Sequence, residues 1–177
     1  MKRINFLVVL ILITLLISSC KSSQASDLKF YVISREILQN TITDADIVKK
    51  AKNEGRLAFD GEDIMGYHWK THTVMLNSNA ITSIGKVTAE SGGSALFKVD
   101  DSYAFVLVLN NKLVYTGGFT NGIKNPDVPL QPSIKDKTNT SFSIQFDSKY
   151  TNENDKRQNK ALYNYLESLG LLSAKTN

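Results

Sequence analysis

The chain has 177 residues, a formal net charge of +4, 42% hydrophobic residues, one cysteine and two histidines. So weak and dispersed a charge lacks the concentrated basic stripe of a nucleic-acid-binding surface, and a lone cysteine rules out a disulfide framework or a cysteine-rich metal site. Stability must come from an apolar core, which a chain of this length can bury as one domain.

The amino terminus, MKRINFLVVLILITLLISSC, places two basic residues before an apolar run over 4–17 and small polar residues before Cys20. This is the layout of a secretory signal peptide. At about 1.5 Å per residue the run reaches only about 21 Å, short of the roughly 30 Å hydrocarbon core that a spanning helix crosses. Ile17-Ser18-Ser19-Cys20 resembles the lipobox of bacterial lipoproteins. The resemblance implies diacylglycerylation of the Cys20 thiol, cleavage before Cys20, acylation of the new amino terminus by palmitate-type chains, and an extracytoplasmic domain anchored to the cell membrane. Because Lys21 rather than aspartate follows the cysteine, it favours the outer membrane where there are two. The chain then divides into a signal peptide (1–19), a lipidated cysteine with a polar tether (20–27) and a single α+β domain (28–177).

Leu28 opens LKFYVIS, a β-branched and aromatic run that predicts a strand over 28–34. Thr43 with Asp46 three residues on, and Gly55 as a stop, predict a helix over 44–54. Its Lys49, Lys50 and Lys52 read as a solvated face.

The stretch GYHWKTHTVML (66–76) holds both histidines and the only tryptophan. Its alternation and its threonines and valines predict a single strand. On a strand His68 and His72 face the same way about 13 Å apart at roughly 3.3 Å per residue, too far to share a metal ion. Each can still serve singly as a general base, with Glu62 or Asp63 as orienter or Ser94 as nucleophile. EDIMGYHWKTHTVML, followed by LVYTGGF, is similar to a pattern in uncharacterised bacterial envelope proteins that spans 62–119; the resemblance implies an envelope protein with no transferable activity.

Segment 77–86 fits a short helix or a loop, and TAESGG after it a loop. Three apolar runs over 94–119, separated by Asp100-Asp101 and Asn110-Asn111, predict a three-stranded antiparallel meander. Its middle strand is apolar at every position over 105–109, so both faces need cover. Gly117 and Gly118 before Phe119 mark a bulge or turn. Pro126, Pro129 and Pro132 align on one face of a polyproline helix and read as a stiff connector. Phe142, Ile144 and Phe146 alternate along a strand at 139–146, and Leu162, Tyr165, Leu166 and Leu169 line one face of a C-terminal helix that Gly170 ends. That helix is assigned as the cover of the meander.

The fold expected is α+β with a largely antiparallel sheet. The function expected is a membrane-anchored envelope lipoprotein, bound to the membrane through lipid on Cys20, whose domain is a non-catalytic binding or accessory module for an envelope protein or glycan. The candidate surface is Tyr67, His68, Trp69, His72 and Phe119; no cofactor, metal or nucleic acid is expected. An envelope hydrolase with a histidine general base is the alternative.

Overall fold

The structure, a computed structural model, describes residues 27–89, 102–119, 132–135, 138, 140–146 and 154–173. The signal-peptide, Cys20, Ser94, Pro126 and Pro129 assignments, and the first run of the meander, lie outside those residues. Among the described residues eight strands form one sheet in a mixed α+β architecture: β1 (Leu28–Ser34), β2 (Arg56–Asp60), β3 (Ile64–His68), β4 (Thr73–Leu76), β5 (Tyr103–Leu109), β6 (Lys112–Phe119), β7 (Ser133–Lys135) and β8 (Ser141–Gln145). Among the described residues the helices are α1 (Arg35–Gln39), α2 (Asp44–Glu54), α3 (Ser78–Ala89) and α4 (Lys160–Ser168), with a 3-10 turn at Gly61–Asp63. Segment 77–86, open between helix and loop in the sequence, thus falls within α3 apart from Asn77, whose side chain accepts the Ala80 N–H at 2.8 Å.

Local chemistry fixes several of these elements. At the start of α2 the Thr43 hydroxyl accepts the Asp46 N–H at 3.2 Å. At its end the Gly55 N–H donates to the carbonyls of Lys50 and Ala51. Lys49 and Lys52 are exposed, and two of the three lysines are also bonded: Lys50 Nζ donates to the Ile37 carbonyl and Lys52 Nζ to Asn111 Oδ1. Asn110 and Asn111 take φ of 50° and 60° between β5 and β6, the left-handed pair that a tight hairpin demands.

The sheet order is β2-β1-β5-β6-β7-β8-β4-β3, antiparallel throughout except for the parallel β6–β7 pair. Both edges of β5 are occupied, by β1 and β6. The three-stranded unit around β5 is therefore β1-β5-β6. The physical reason is length: β1 pairs with β5 along its entire run, from Leu28↔Leu109 to Ser34↔Tyr103.

Flat, β1 and β8 would stand four strand spacings apart, about 19 Å at about 4.8 Å each. Yet the rings of Phe30 on β1 and Phe142 on β8 lie 6.0 Å apart, and Phe59 on β2 is 5.9 Å from Phe142. The sheet is curled into a trough, and its two edge strands, β2 and β3, are joined through Gly61–Asp63. Its concave face carries Phe30, Phe59, Phe105, Tyr115, Phe119, Ile134, Phe142 and Ile144, packed with Ala80 and Ile84 of α3 and Leu162 and Leu166 of α4.

The convex face over β1 and β5 presents Tyr31, Ile33, Ala104, Val106 and Val108 to Val48 and Ala51 of α2. Strand β5 is thus buried on both sides, as its composition predicts. The convex cover is α2, however, not the C-terminal helix. Lysines at three of the four positions from 49 to 52 obscure how narrow and small that contact stripe is.

Gly117 belongs inside β6 rather than at a turn. A Cβ there would meet the Phe105 ring and the Pro132 carbonyl, so the missing side chain admits an aromatic ring and a neighbouring backbone at once.

Candidate functional site

The stretch 66–76 is a hairpin, not one strand. β3 and β4 pair antiparallel with His68 opposite Thr73, and residues 69–72 form the turn. None of those four is glycine, proline, asparagine or aspartate, so the usual turn signals are missing. The left-handed position falls to His72, at φ 50°, an uncommon conformation for a residue with a side chain. Tertiary bonds compensate: the His72 carbonyl accepts the Ile144 N–H at 3.0 Å, and both ring nitrogens are engaged. At the near side of the turn, His68 Nδ1 accepts the Thr71 N–H at 3.3 Å and lies 2.7 Å from the Thr71 hydroxyl.

The two histidines consequently occupy different environments. His68 is partly exposed and heads a row of hydroxyls, with Thr71 Oγ1 2.8 Å from Thr73 Oγ1 and Thr73 Oγ1 3.2 Å from Ser143 Oγ. His72 is 1% exposed. Tyr67 and Phe119 are each 3% exposed, so three of the five residues expected to form a surface are core. For Tyr67 the cause is a register shift between Ile64 and Gly66. It breaks the two-residue alternation, leaving Met65 outward and turning both Ile64 and Tyr67 inward. Phe119 packs edge-on against Phe105 at 5.9 Å. Trp69 remains partly exposed.

Around His72 the structure assembles a polar cluster within apolar surroundings. Tyr67 Oη lies 2.9 Å from His72 Nδ1, and Gln158 Nε2 lies 3.3 Å from His72 Nε2. With an amide nitrogen facing Nε2, that ring nitrogen is the acceptor and Nδ1–H donates to Tyr67. Among the described residues Tyr115 Oη is buried with no well-formed hydrogen bond, although the Tyr67 hydroxyl lies near enough to interact with it. Arg157 grips Asp155 through Nε (2.8 Å) and Nη2 (2.7 Å), and its Nη1 donates to the Ile144 carbonyl at 2.7 Å. Trp69 stands edge-on to Tyr163 of α4 at 4.9 Å and 5.3 Å from the His72 ring.

The electrostatics follow from this packing. Burial, then the Arg157 charge, lower His72 to about 4 against an opposing pull from Asp155, so the imidazole is neutral near pH 7. Burial pushes both tyrosine hydroxyls up. Burial also raises Asp155, but hydrogen bonds from Arg157 and its charge outweigh that and hold the carboxyl below its ordinary value.

Chemically, His72 has no lone pair open to a substrate. Glu62 and Asp63 do not orient His68. They sit in the 3-10 turn beyond the other end of β3, where Asp63 accepts the Asp60 N–H and Asp60 accepts the Glu62 N–H. Among the described residues no three His, Cys, Asp or Glu side chains are grouped to hold a metal, and no helix is long and apolar enough to cross a membrane.

What the cluster does is hold the C-terminal segment. Asn159 caps α4 by accepting the Leu162 N–H at 3.0 Å. Gly170, at φ 67°, turns the chain out of the helix. The tail then pairs with the outer edge of β3: the Tyr67 N–H donates to the Leu171 carbonyl at 2.8 Å and the Ser173 N–H to the Tyr67 carbonyl at 3.0 Å. Sequence reasoning missed Tyr115, Asp155, Arg157, Gln158 and Tyr163 as neighbours of the histidine. The one available signal was Asn159, a strong helix-capping type, which separates 154–158 from the helix proper. No protein-family model, curated protein or solved structure matches the chain.

Proposed function

We propose that the protein is an envelope lipoprotein, held to the cell membrane or outer membrane by acyl chains on Cys20, whose domain is a non-catalytic binding or accessory module. The observation that carries this reading is how soon the sheet begins after Ile17-Ser18-Ser19-Cys20. β1 starts at Leu28, and the Asp27 carbonyl already accepts the Asn110 N–H at 3.0 Å. Seven residues, 21–27, link the cysteine to the sheet. At no more than about 3.4 Å each they hold the domain within about 24 Å of its anchor. Two or three acyl chains supply the hold that one chain does not.

His68 and Trp69, at the tip of the β3–β4 hairpin, are the part of the expected surface that reaches solvent, and they suit an envelope protein or glycan face. α4, with its leader at 154–159, serves as the lid over the trough. Radiolabelled palmitate should enter the wild-type chain and not Cys20→Ala; labelling of the variant would sink the anchor. Cross-linking in intact membranes should capture a partner with wild type and lose it with Trp69→Ala.

A hydrolase is the second reading, favoured by the 2.7 Å contact between His68 Nδ1 and the Thr71 hydroxyl. It requires that His68→Gln abolish a hydrolytic activity of membrane-purified protein while leaving partner capture intact.

A further inference from the structure

We infer that His72 is an acid-sensitive latch, closed while its imidazole is neutral, which holds the 154–173 segment over the trough and releases it on taking up a proton. The inference rests on geometry around one side chain. His72 ties together three parts of the molecule: β3 through Tyr67, β8 through the Ile144 N–H, and the 154–159 leader through Gln158. Both of its ring contacts are neutral groups.

The groups facing His72 leave a proton without compensation. From β3 comes the Tyr67 hydroxyl, and behind it the Tyr115 hydroxyl of β6. The turn contributes the uncharged Trp69 ring, with Tyr163 of α4 beyond it. The leader contributes Gln158, Arg157 and Asp155, and the one carboxylate of that set is already committed to the guanidinium by two hydrogen bonds. A second ring N–H would point at the Gln158 amide nitrogen, donor against donor. Rotating that amide would offer its oxygen, yet the imidazolium would remain buried beside Arg157 with no carboxylate of its own.

Beyond the latch the segment is held by Arg157 on the Ile144 carbonyl, the Tyr165 hydroxyl on the Leu28 backbone and the Trp69–Tyr163 edge contact. Its tail adds two backbone bonds to the β3 edge at Tyr67, and Leu162 and Leu166 seat it in the core. The sheet's long ladders, β1 with β5 and β5 with β6, do not pass through it. Opening therefore uncovers the β3 edge and the aromatic trough while those ladders persist.

The sign follows from linkage. The closed form has its histidine value lowered from 6.5 to about 4, so the open form binds more protons between those limits. Closure is complete near neutrality, weakens as pH falls through that window and is lowest below about 4. A shift from 6.5 to about 4 corresponds to a rise in the opening constant of at most about 300-fold, less where water reaches the ring.

The test uses the full chain purified from membranes in detergent, with amide exchange followed from pH 7 to pH 4 and corrected for intrinsic rates. Protection of the Tyr67 and Ser173 amides should fall between about ten- and 100-fold over this range, while amides of β1 and β5 keep theirs. Emission of Trp69, the only tryptophan, should shift to the red as Tyr163 departs. His72→Gln should remove the pH dependence and His68→Gln should keep it. Unchanged protection in wild type, simultaneous loss in β1 and β5, or a pH response persisting in His72→Gln overturns the latch. Should His72→Gln fail to fold, Gln158→Glu decides: a carboxylate on Nε2 should move the transition to lower pH, and an unmoved midpoint overturns the proposal.

Discussion

Tyr67 and Tyr115 bury two hydroxyls side by side, and their substitutions should differ in cost. Tyr67 Oη contacts His72 Nδ1 at 2.9 Å, so Tyr67→Phe strands a buried imidazole nitrogen and should cost about 1–3 kcal/mol in denaturant unfolding. Tyr115 Oη has no well-formed hydrogen bond among the described residues, so Tyr115→Phe should be neutral or stabilising by up to about 1 kcal/mol. A large loss at Tyr115 would mean that its hydroxyl is satisfied by the Tyr67 hydroxyl or by a bound water. Little of this was legible in the sequence at the scale of one residue. The separation of 86 positions between His72 and Gln158 is set by the fold, and nothing in HWKTHT distinguishes a wet histidine from a dry one.

Elements with their own chemistry were legible. Thr43, Asp46 and Gly55 bound α2 at the positions the sequence predicts, and Asn110-Asn111 bring the hairpin with them. Thr43→Ala should therefore cost about 1 kcal/mol, read as a lowered unfolding midpoint. Elements shaped by their neighbours were not legible. The turn at 69–72 contains no turn-type residue because His72 is forced left-handed by what binds it. Gly117 reads as a strand exit because the Phe105 ring it accommodates is brought there only by β5–β6 pairing. Gly117→Ala should overpack that contact and cost about 1–3 kcal/mol; an unchanged melting temperature would mean that β6 shifts freely.

For the molecule as a whole, composition and patterning were enough for a mixed α+β fold with a largely antiparallel sheet. The strand order was not, because β1 meets β5, and β4 meets β8, across long stretches of chain. The tail pairing on β3 protects one rim of the sheet, since an open strand edge invites another chain. A chain ending at Gly170 should accordingly self-associate, visible as a concentration-dependent rise in mass by light scattering, while wild type keeps a constant mass.

The turn at Gly61–Asp63 joins the two strands that end up farthest apart in the sheet order. The first four strands of the chain thus build the flanks, β2-β1 on one side and β4-β3 on the other, and the last four fill the space between them. Synthesis delivers the frame before the panel. A chain emerging amino terminus first cannot complete its sheet until β8 has appeared, and so many distant pairings make closure slow. Such a chain stays threadable for most of its length, and its sheet closes only once the final strand is in hand.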